Sequence, residues 1–189
     1  MSAPSLKPRC VWPADDALMI AYHDEEWGVP LYDDQKIFEF LVLETFQAGL
    51  SWRTVLHKRE NFRKAFRGFD LQRVARMDAR AKARLMADAG IIRNRQKIDA
   101  TVNNAKRFRE VQKEFGTFSN YMWSWVKGKT IRHKIKKPSD YKATIDEAVA
   151  WSIDLKRRGF SFLGPTVIYA HMQAVGMVDD HQINCFRSH

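Results

Sequence analysis

One local pattern recurs along this chain and restricts its fold more than any other feature. An aspartate or asparagine is followed by apolar residues spaced three and four apart, and the run ends on glycine. Asp15–Asp16 precede Leu18, Met19, Tyr22 and Trp27, with a stop at Gly28-Val29-Pro30. Asp33 opens a longer helix from Ile37 to about Ala48, closed by Gly49. Asp70 and Asp78 each open a short helix, and the second is expected to end on a left-handed cap at Ala89–Gly90. From about Gln96 to Glu114 the apolar positions Ile98, Val102, Ala105 and Phe108 keep helical spacing. Thr144-Ile145-Asp146-Glu147 reads as a capping box for a helix ending at Arg158–Gly159, and a last helix follows Gly164–Pro165 and stops at Gly176. Strand signals are poor: alternation is short and the β-branched residues are scattered. The expectation is an all-α fold.

The chain has the material for such a fold. At 189 residues with 45% hydrophobic side chains, a chain of this size buries roughly 70% of the surface its unfolded form exposes. Lysine and arginine number 32 against 22 acidic residues, a net charge of +10, which points to a polyanionic partner. Mean hydropathy is −0.46, and no apolar run reaches the ~20 residues that a membrane span needs. Nucleic acid is therefore favoured over membrane. The first eleven residues carry no apolar stretch of signal-peptide length, and the two cysteines sit near opposite ends. A reducing cytoplasm is expected. One composition shift stands out: Lys127 to Lys142 holds six lysines and an arginine. Gly128 and Pro138 break helical order there, so it reads as a basic loop, either a solvated linker or a phosphate contact.

Four side chains have the chemistry to hold a transition metal: Cys10, His23, His181 and Cys185. His181 and Cys185 share a face if the C-terminal segment is helical. Cys10 and His23 are brought together if the chain turns at Pro13. A Cys2His2 set is a closed tetrahedral zinc site without an open position for water. Two core thiols and two hydrogen-bonded histidines fit the spacing equally well.

The segment from Phe38 to Trp52 is the richest in chemistry. Glu39 and Glu44 project about 140° apart on one helix, and only Glu44 shares the stripe of Ile37, Phe40, Leu41 and Ala48. Glu44 is thus the carboxylate expected to be buried. It either pairs with an arginine or awaits a cationic or amino-bearing ligand. Trp12, Tyr22, Trp27, Phe46 and Trp52 supply flat faces that stack on heterocycles and favour positive charge, although aromatics at helical spacing are commonly core. Farther on, Leu155 to Tyr169 reads as helix, glycine-bounded hairpin, helix. A turn closing on a helix N-terminus presents backbone N–H groups that hold phosphate without reading sequence.

Several blocks together resemble the 3-methyladenine DNA glycosylase I family of helix-hairpin-helix base-excision enzymes. They are Arg9-Cys-x-Trp12, Ile20-Ala-Tyr-His-Asp-x-Glu-Trp-Gly-Val-Pro30, Leu43-Glu-x-x-Gln-Ala-Gly-Leu-Ser-Trp52, Val55-Leu-x-Lys-Arg-Glu-Asn61, Ala89-Gly-Ile-Ile-Arg-x-Arg95, Arg158-Gly-Phe-x-Phe162, Met172-Gln-Ala-x-Gly176 and Asp180-His-x3-Cys185. The resemblance implies a helix-hairpin-helix glycosylase-like bundle over residues 1–189, one domain in which two helical lobes with the pocket between them are allowed. It implies a structural Zn2+ on Cys10, His23, His181 and Cys185, joining the chain's ends. It makes Glu44 the catalytic pocket carboxylate, with Tyr22, Trp52, Trp12, Trp27 and Gln47 around the base. Leu50 becomes the plug that fills the gap left by a flipped nucleotide, and Gly159 and Gly164 bound the DNA-contacting hairpin. Three positions depart from the family pattern: Thr45–Phe46 after the glutamate, Met19 in place of an aromatic, and Asp179 where members often have asparagine. Asp179 either assists the nucleophile or caps a following helix.

The implied reaction is hydrolysis of the N-glycosidic bond of 3-methyladenine in alkylated duplex DNA, by a monomer, with water as nucleophile and free 3-methyladenine as product. No lysine lies in the matching catalytic segments, so a lyase step is not expected. Two other readings stand beside it. One is a non-catalytic DNA-binding module with structural zinc, in which Glu44 is ion-paired; the other is a zinc hydrolase.

Overall fold

A computed structural model describes residues 7–188. The aspartates do what the pattern implies. Asp16 accepts from the Leu18 and Met19 N–H groups and opens α1 (Ala17–Glu25), and Asp33 accepts from Lys36 N–H and opens α2 (Asp34–Gln47). Ser51 caps the short α3 (Trp52–Leu56), which leads into α4 (Arg59–Ala65) and a 3-10 turn at Arg67–Phe69. Asp70 and Asp78 cap α5 (Leu71–Ala75) and α6 (Ala79–Ala87). Asn94 caps the long α7 (Arg95–Phe115), and Thr117 caps α8 (Phe118–Ser124). The chain closes with α9 (Asp146–Arg157) and α10 (Pro165–Ala174). Two-residue strands β1 (Ile131–Arg132) and β2 (Val178–Asp179) pair in parallel. Among the described residues the fold is helical, as expected, and no helix is long and apolar enough to cross a membrane.

Helix α2 is the axis on which the site is built. Its residues from Ile37 to Phe46 are all buried, and it packs on α3, α7, α8 and α10. A helix buried on every side draws both of its carboxylates inside. Phe46 is one of these core residues: its ring lies 4.7 Å from that of Phe62, which stacks on Phe66. It belongs to the hydrophobic core rather than to a ligand cleft.

Four local expectations fail where tertiary partners compete. Gly90 is not left-handed; its carbonyl accepts from Lys58 and Asn61, and a Cβ there would meet Asp88 Oδ1 at 2.9 Å. Space, not conformation, selects glycine. The Thr144 capping box does not form, because the helix cap is Ile145 without a side-chain bond and Thr144 Oγ1 turns to the Pro165 carbonyl. Residues 181–185 are turns rather than helix. No helix follows Asp179, so it caps none; its Oδ1 instead accepts from the His181 N–H.

The α9–hairpin–α10 unit is present. Gly159 takes φ +83° at the end of α9, while Gly164 caps α10 with φ −70° and open space around it. The hairpin is docked on α7: Asn104 donates to the Ser161 carbonyl and accepts from its N–H, both at 2.9 Å, and Asn103 donates to the Gly159 carbonyl at 2.8 Å.

Candidate functional site

The last turn of α2 carries Glu44 to the floor of a cleft of about 320 Å³. Tyr22 comes from α1, Trp52 from α3, Gln47 from the end of α2, and Trp12 and Trp27 from the flanking turns; all line the same cleft. The rings form a continuous wall, with Tyr22 and Trp52 centroids 5.0 Å apart and Trp12 and Trp27 5.1 Å apart. The cleft is therefore apolar and flat-sided around one acid.

Both glutamates of α2 are buried, which only Glu44 was expected to be. Their environments differ sharply. Glu39 accepts from Arg59 Nε at 2.5 Å and from Arg63 Nη2 at 2.8 Å, the arginine pairing that was one reading of Glu44. Glu44 has no such partner: its Oε2 is buried and unpaired. Burial alone pushes its carboxyl up to about 8. The Tyr22 phenol is held well above its ordinary range by burial first and then by the Glu44 charge. A carboxylate left unsatisfied in an aromatic cleft is costly for folding and favourable for a ligand that brings positive charge or an amino group.

The turn between Glu44 and Trp52 is held from below. Lys97, buried in the first turn of α7, donates to the carbonyls of Phe46 at 3.0 Å and Ala48 at 2.6 Å. A lysine near a helix N-terminus is electrostatically disfavoured there, but here its charge caps the C-terminus of α2. Gly49 then takes φ +83°, and Leu50 projects outward, 44% exposed. Its placement beside the cleft suits an apolar plug.

Four further residues line the cleft: Tyr141, Lys142, Ala170 and Gln173. Gln173 lies in a block singled out in the sequence. Tyr141 and Lys142 are the end of the Lys127–Lys142 loop, which is therefore more than a solvated linker. No spacing rule tied that loop to α2; the β1–β2 pairing does.

A second cluster sits beside the cleft. The ligand atoms of Cys10, His23 and Cys185 lie within 4.8 Å of one another, all buried. His181 stands outside that radius, but its ring centroid is 5.0 Å from that of His23 and its Nε2 is buried without a partner. Each histidine bonds a carboxylate through Nδ1, His23 to Asp24 and His181 to Asp179, both at 2.7 Å. That arrangement leaves Nε2 as the free lone pair. Backbone N–H groups of Gln182 and Arg187 donate to Cys10 and Cys185 sulfur. Two thiols with N–H donors, two oriented imidazoles and an orphaned nitrogen suit a soft divalent cation. Asp179 is thus engaged with His181 and is not among the cleft residues.

The methyladenine glycosylase family model matches residues 12–188. DNA-3-methyladenine glycosylase 1 of Escherichia coli (strain K12) is 45% identical over 177 residues, covering 94% of this chain and 95% of that protein. A crystal structure of 3-methyladenine DNA glycosylase I superposes with a TM-score of 0.93 at 42% identity, covering 96% of this chain and all of that one. A tyrosine-to-phenylalanine variant of 3-methyladenine DNA glycosylase I, solved in complex with 3-methyladenine, gives a TM-score of 0.91 at 38% identity over 94% of this chain and 96% of that one.

Proposed function

The chain belongs to the methyladenine glycosylase family, and on that premise we propose that it excises 3-methyladenine from alkylated double-stranded DNA. The observation that carries this reading is the unpaired Glu44 oxygen at the base of an aromatic cleft. Methylation at N3 makes the nucleobase cationic. The bond from C1′ to N9 breaks with its electron pair going to nitrogen, the base leaves neutral, and water supplies the oxygen at C1′. Little acid catalysis is needed. The protein's work is to extrude the base, hold it and exclude competitors.

Glu44 performs the discrimination. A cationic base draws the proton off the Glu44 carboxyl and meets an anion in a site with little water, where Coulomb terms are largest. Neutral adenine cannot do this to the same extent. Tyr22 and Trp52 add stacking, and Leu50 fills the vacated stack. The α9–hairpin–α10 unit, with open backbone at Gly164, grips phosphate without reading sequence. Lys142 is the one cation in the cleft lining and sits exposed at its mouth, a position suited to phosphate rather than to a Schiff base.

The same reading assigns Zn2+ to Cys10, His23, His181 and Cys185. A four-ligand site has no open position, so the metal supplies structure and no step of the reaction. The protein is proposed to act as a cytoplasmic monomer.

Chromatography of bases released from methylated duplex DNA tests the proposal. Wild type is expected to release 3-methyladenine, and Glu44→Gln to release it at least a hundredfold more slowly while binding DNA nearly as well. Absence of release by wild type would return the protein to a non-catalytic DNA-binding module. A borohydride-trapped covalent adduct with DNA would overturn the water mechanism and implicate Lys142.

A further inference from the structure

Resting on the reading of the cleft as a base-binding site, we propose that Tyr141 is a further base-contacting residue, held in place through its hydroxyl by the Cys10 sulfur of the cysteine–histidine cluster. The ring of Tyr141 lines the cleft beside Glu44, Trp12 and Trp27. Its hydroxyl is buried and finds no oxygen or nitrogen partner. The group that faces it is Cys10, whose sulfur and the tyrosine proton influence one another. Cys10 in turn belongs to the cluster with His23 and Cys185. One side chain therefore spans from the cluster to the cleft.

The backbone that delivers Tyr141 is fastened to the same cluster. Ile131 N–H donates to the Met177 carbonyl at 2.9 Å, His133 N–H to that of Asp179 at 3.1 Å, and Ile183 N–H to that of Ile135 at 2.9 Å. The segment thus runs alongside the strand that bears His181 and Cys185. His133 Nδ1 bonds the buried Asp180 at 2.6 Å, and the same carboxylate accepts from Gln173, which lines the cleft. The bend just before Tyr141 is tightened by Asp140, which accepts from the N–H groups of Lys136 and Lys137.

An aromatic face in this position stacks on a flat heterocycle. A phenol donating to sulfur fixes the ring's angle, and a metal-bound thiolate is the stronger acceptor. Base binding and the state of the cluster are then coupled, and the coupling is reciprocal.

The test is a titration of free 3-methyladenine into the full chain, followed by tryptophan fluorescence. Tyr141→Ala, which removes the stacking face, is expected to raise Kd about tenfold. Tyr141→Phe keeps the ring and the packing but loses the anchor, and is expected to raise Kd about threefold. Both variants binding like wild type would overturn the proposal. The second readout is the sulfur-to-cobalt charge-transfer band of Co2+-loaded protein. It is expected to shift in Tyr141→Phe, and to shift on adding 3-methyladenine to wild type but not to that variant. A band that neither change moves would overturn the anchor. If wild type gives no such band, the metal assignment has failed, and the titration of Tyr141→Phe alone decides on Cys10 as anchor. If wild type does not bind 3-methyladenine, the cleft reading fails and the proposal falls with it.

Discussion

Glu39 and Glu44 lie five positions apart on one buried helix and show how far environment separates two identical side chains. Glu39 is neutralised by Arg59 and Arg63, whereas Glu44 keeps an unpaired oxygen. The Glu44 carboxyl, pushed from 4.5 to about 8, is mostly protonated in the free protein at neutral pH. Its folded value lies above its unfolded one, so its contribution to stability is complete below pH 4.5 and is lost as pH rises through 8. Glu44→Gln should remove that loss. Its melting temperature should match wild type near pH 5 and exceed it increasingly toward pH 9, by up to a few kcal/mol of stability. Melts at pH 5, 7 and 9 check this, and a constant difference across them would mean that Glu44 does not titrate in this range. The opposite trend holds for function: base release by wild type should rise with pH through about 8 as the carboxylate becomes available. The burial of Glu44 was legible from its helical phase alone. The destination of the arginines was not, because Arg59 and Arg63 reach Glu39 across a turn that periodicity does not describe.

At the scale of elements, helix starts were the most legible features, since Asp16, Asp33, Asp70 and Asp78 bond N–H groups two or three residues away. Endings depended on what docks there. Gly176 shows the extreme: a Cβ on it would lie 2.3 Å from Val29 C and 2.4 Å from Pro30 N, at φ +74°. This close approach seats the end of α10 against the turn after Trp27, on one wall of the cleft. Gly176→Ala is expected to cost on the order of 3 kcal/mol, from both the left-handed backbone and the clash. Gly49→Ala, at φ +83° with nothing within 4 Å, should cost only about 1 kcal/mol. Urea midpoints compare the two, and equal losses would mean that the backbone conformation, not the contact with Val29, sets the cost. Tyr141 and Lys142 escaped the sequence because their loop has no periodicity, and only its pairing with residues 177–183 carries it to the cleft.

Across the whole molecule, the net charge of +10 is spread over more than one surface. A groove of about 690 Å³ away from the base cleft is lined by Lys64, Arg67, Arg73, Arg76 and Arg84, among others. Such charge attracts DNA from a distance without selecting a base. Selection rests on a single acid whose surroundings oppose its ionisation. The chain's ends meet directly: Phe186 N–H donates to the Pro8 carbonyl, and Val11 N–H to Gln182. The proposed metal adds a clip at this junction. Its removal by a strong chelator should lower the melting temperature by about 10 °C, given a few kcal/mol for a chain of this length. An unchanged melt in protein shown by elemental analysis to carry no metal would refute the assignment. Because Trp27 packs edge-on to His181 at 4.6 Å, loss of the clip should also loosen the cleft wall.

What the sequence determined by itself is local in origin: the helical class, the capping aspartates, the phase that buries Glu44, and the blocks that resemble a glycosylase family. Each depends on residues within a turn or two of one another, where backbone geometry leaves few choices. The tertiary structure decided the rest. It assigned the arginines to Glu39 and left Glu44 unpaired, sent Phe46 to the core, placed Lys97 beneath the Leu50 turn, and brought Tyr141 between the cleft and Cys10. Those outcomes depend on which distant groups meet once water is excluded, and burial makes each pairing or lack of one costly enough to matter.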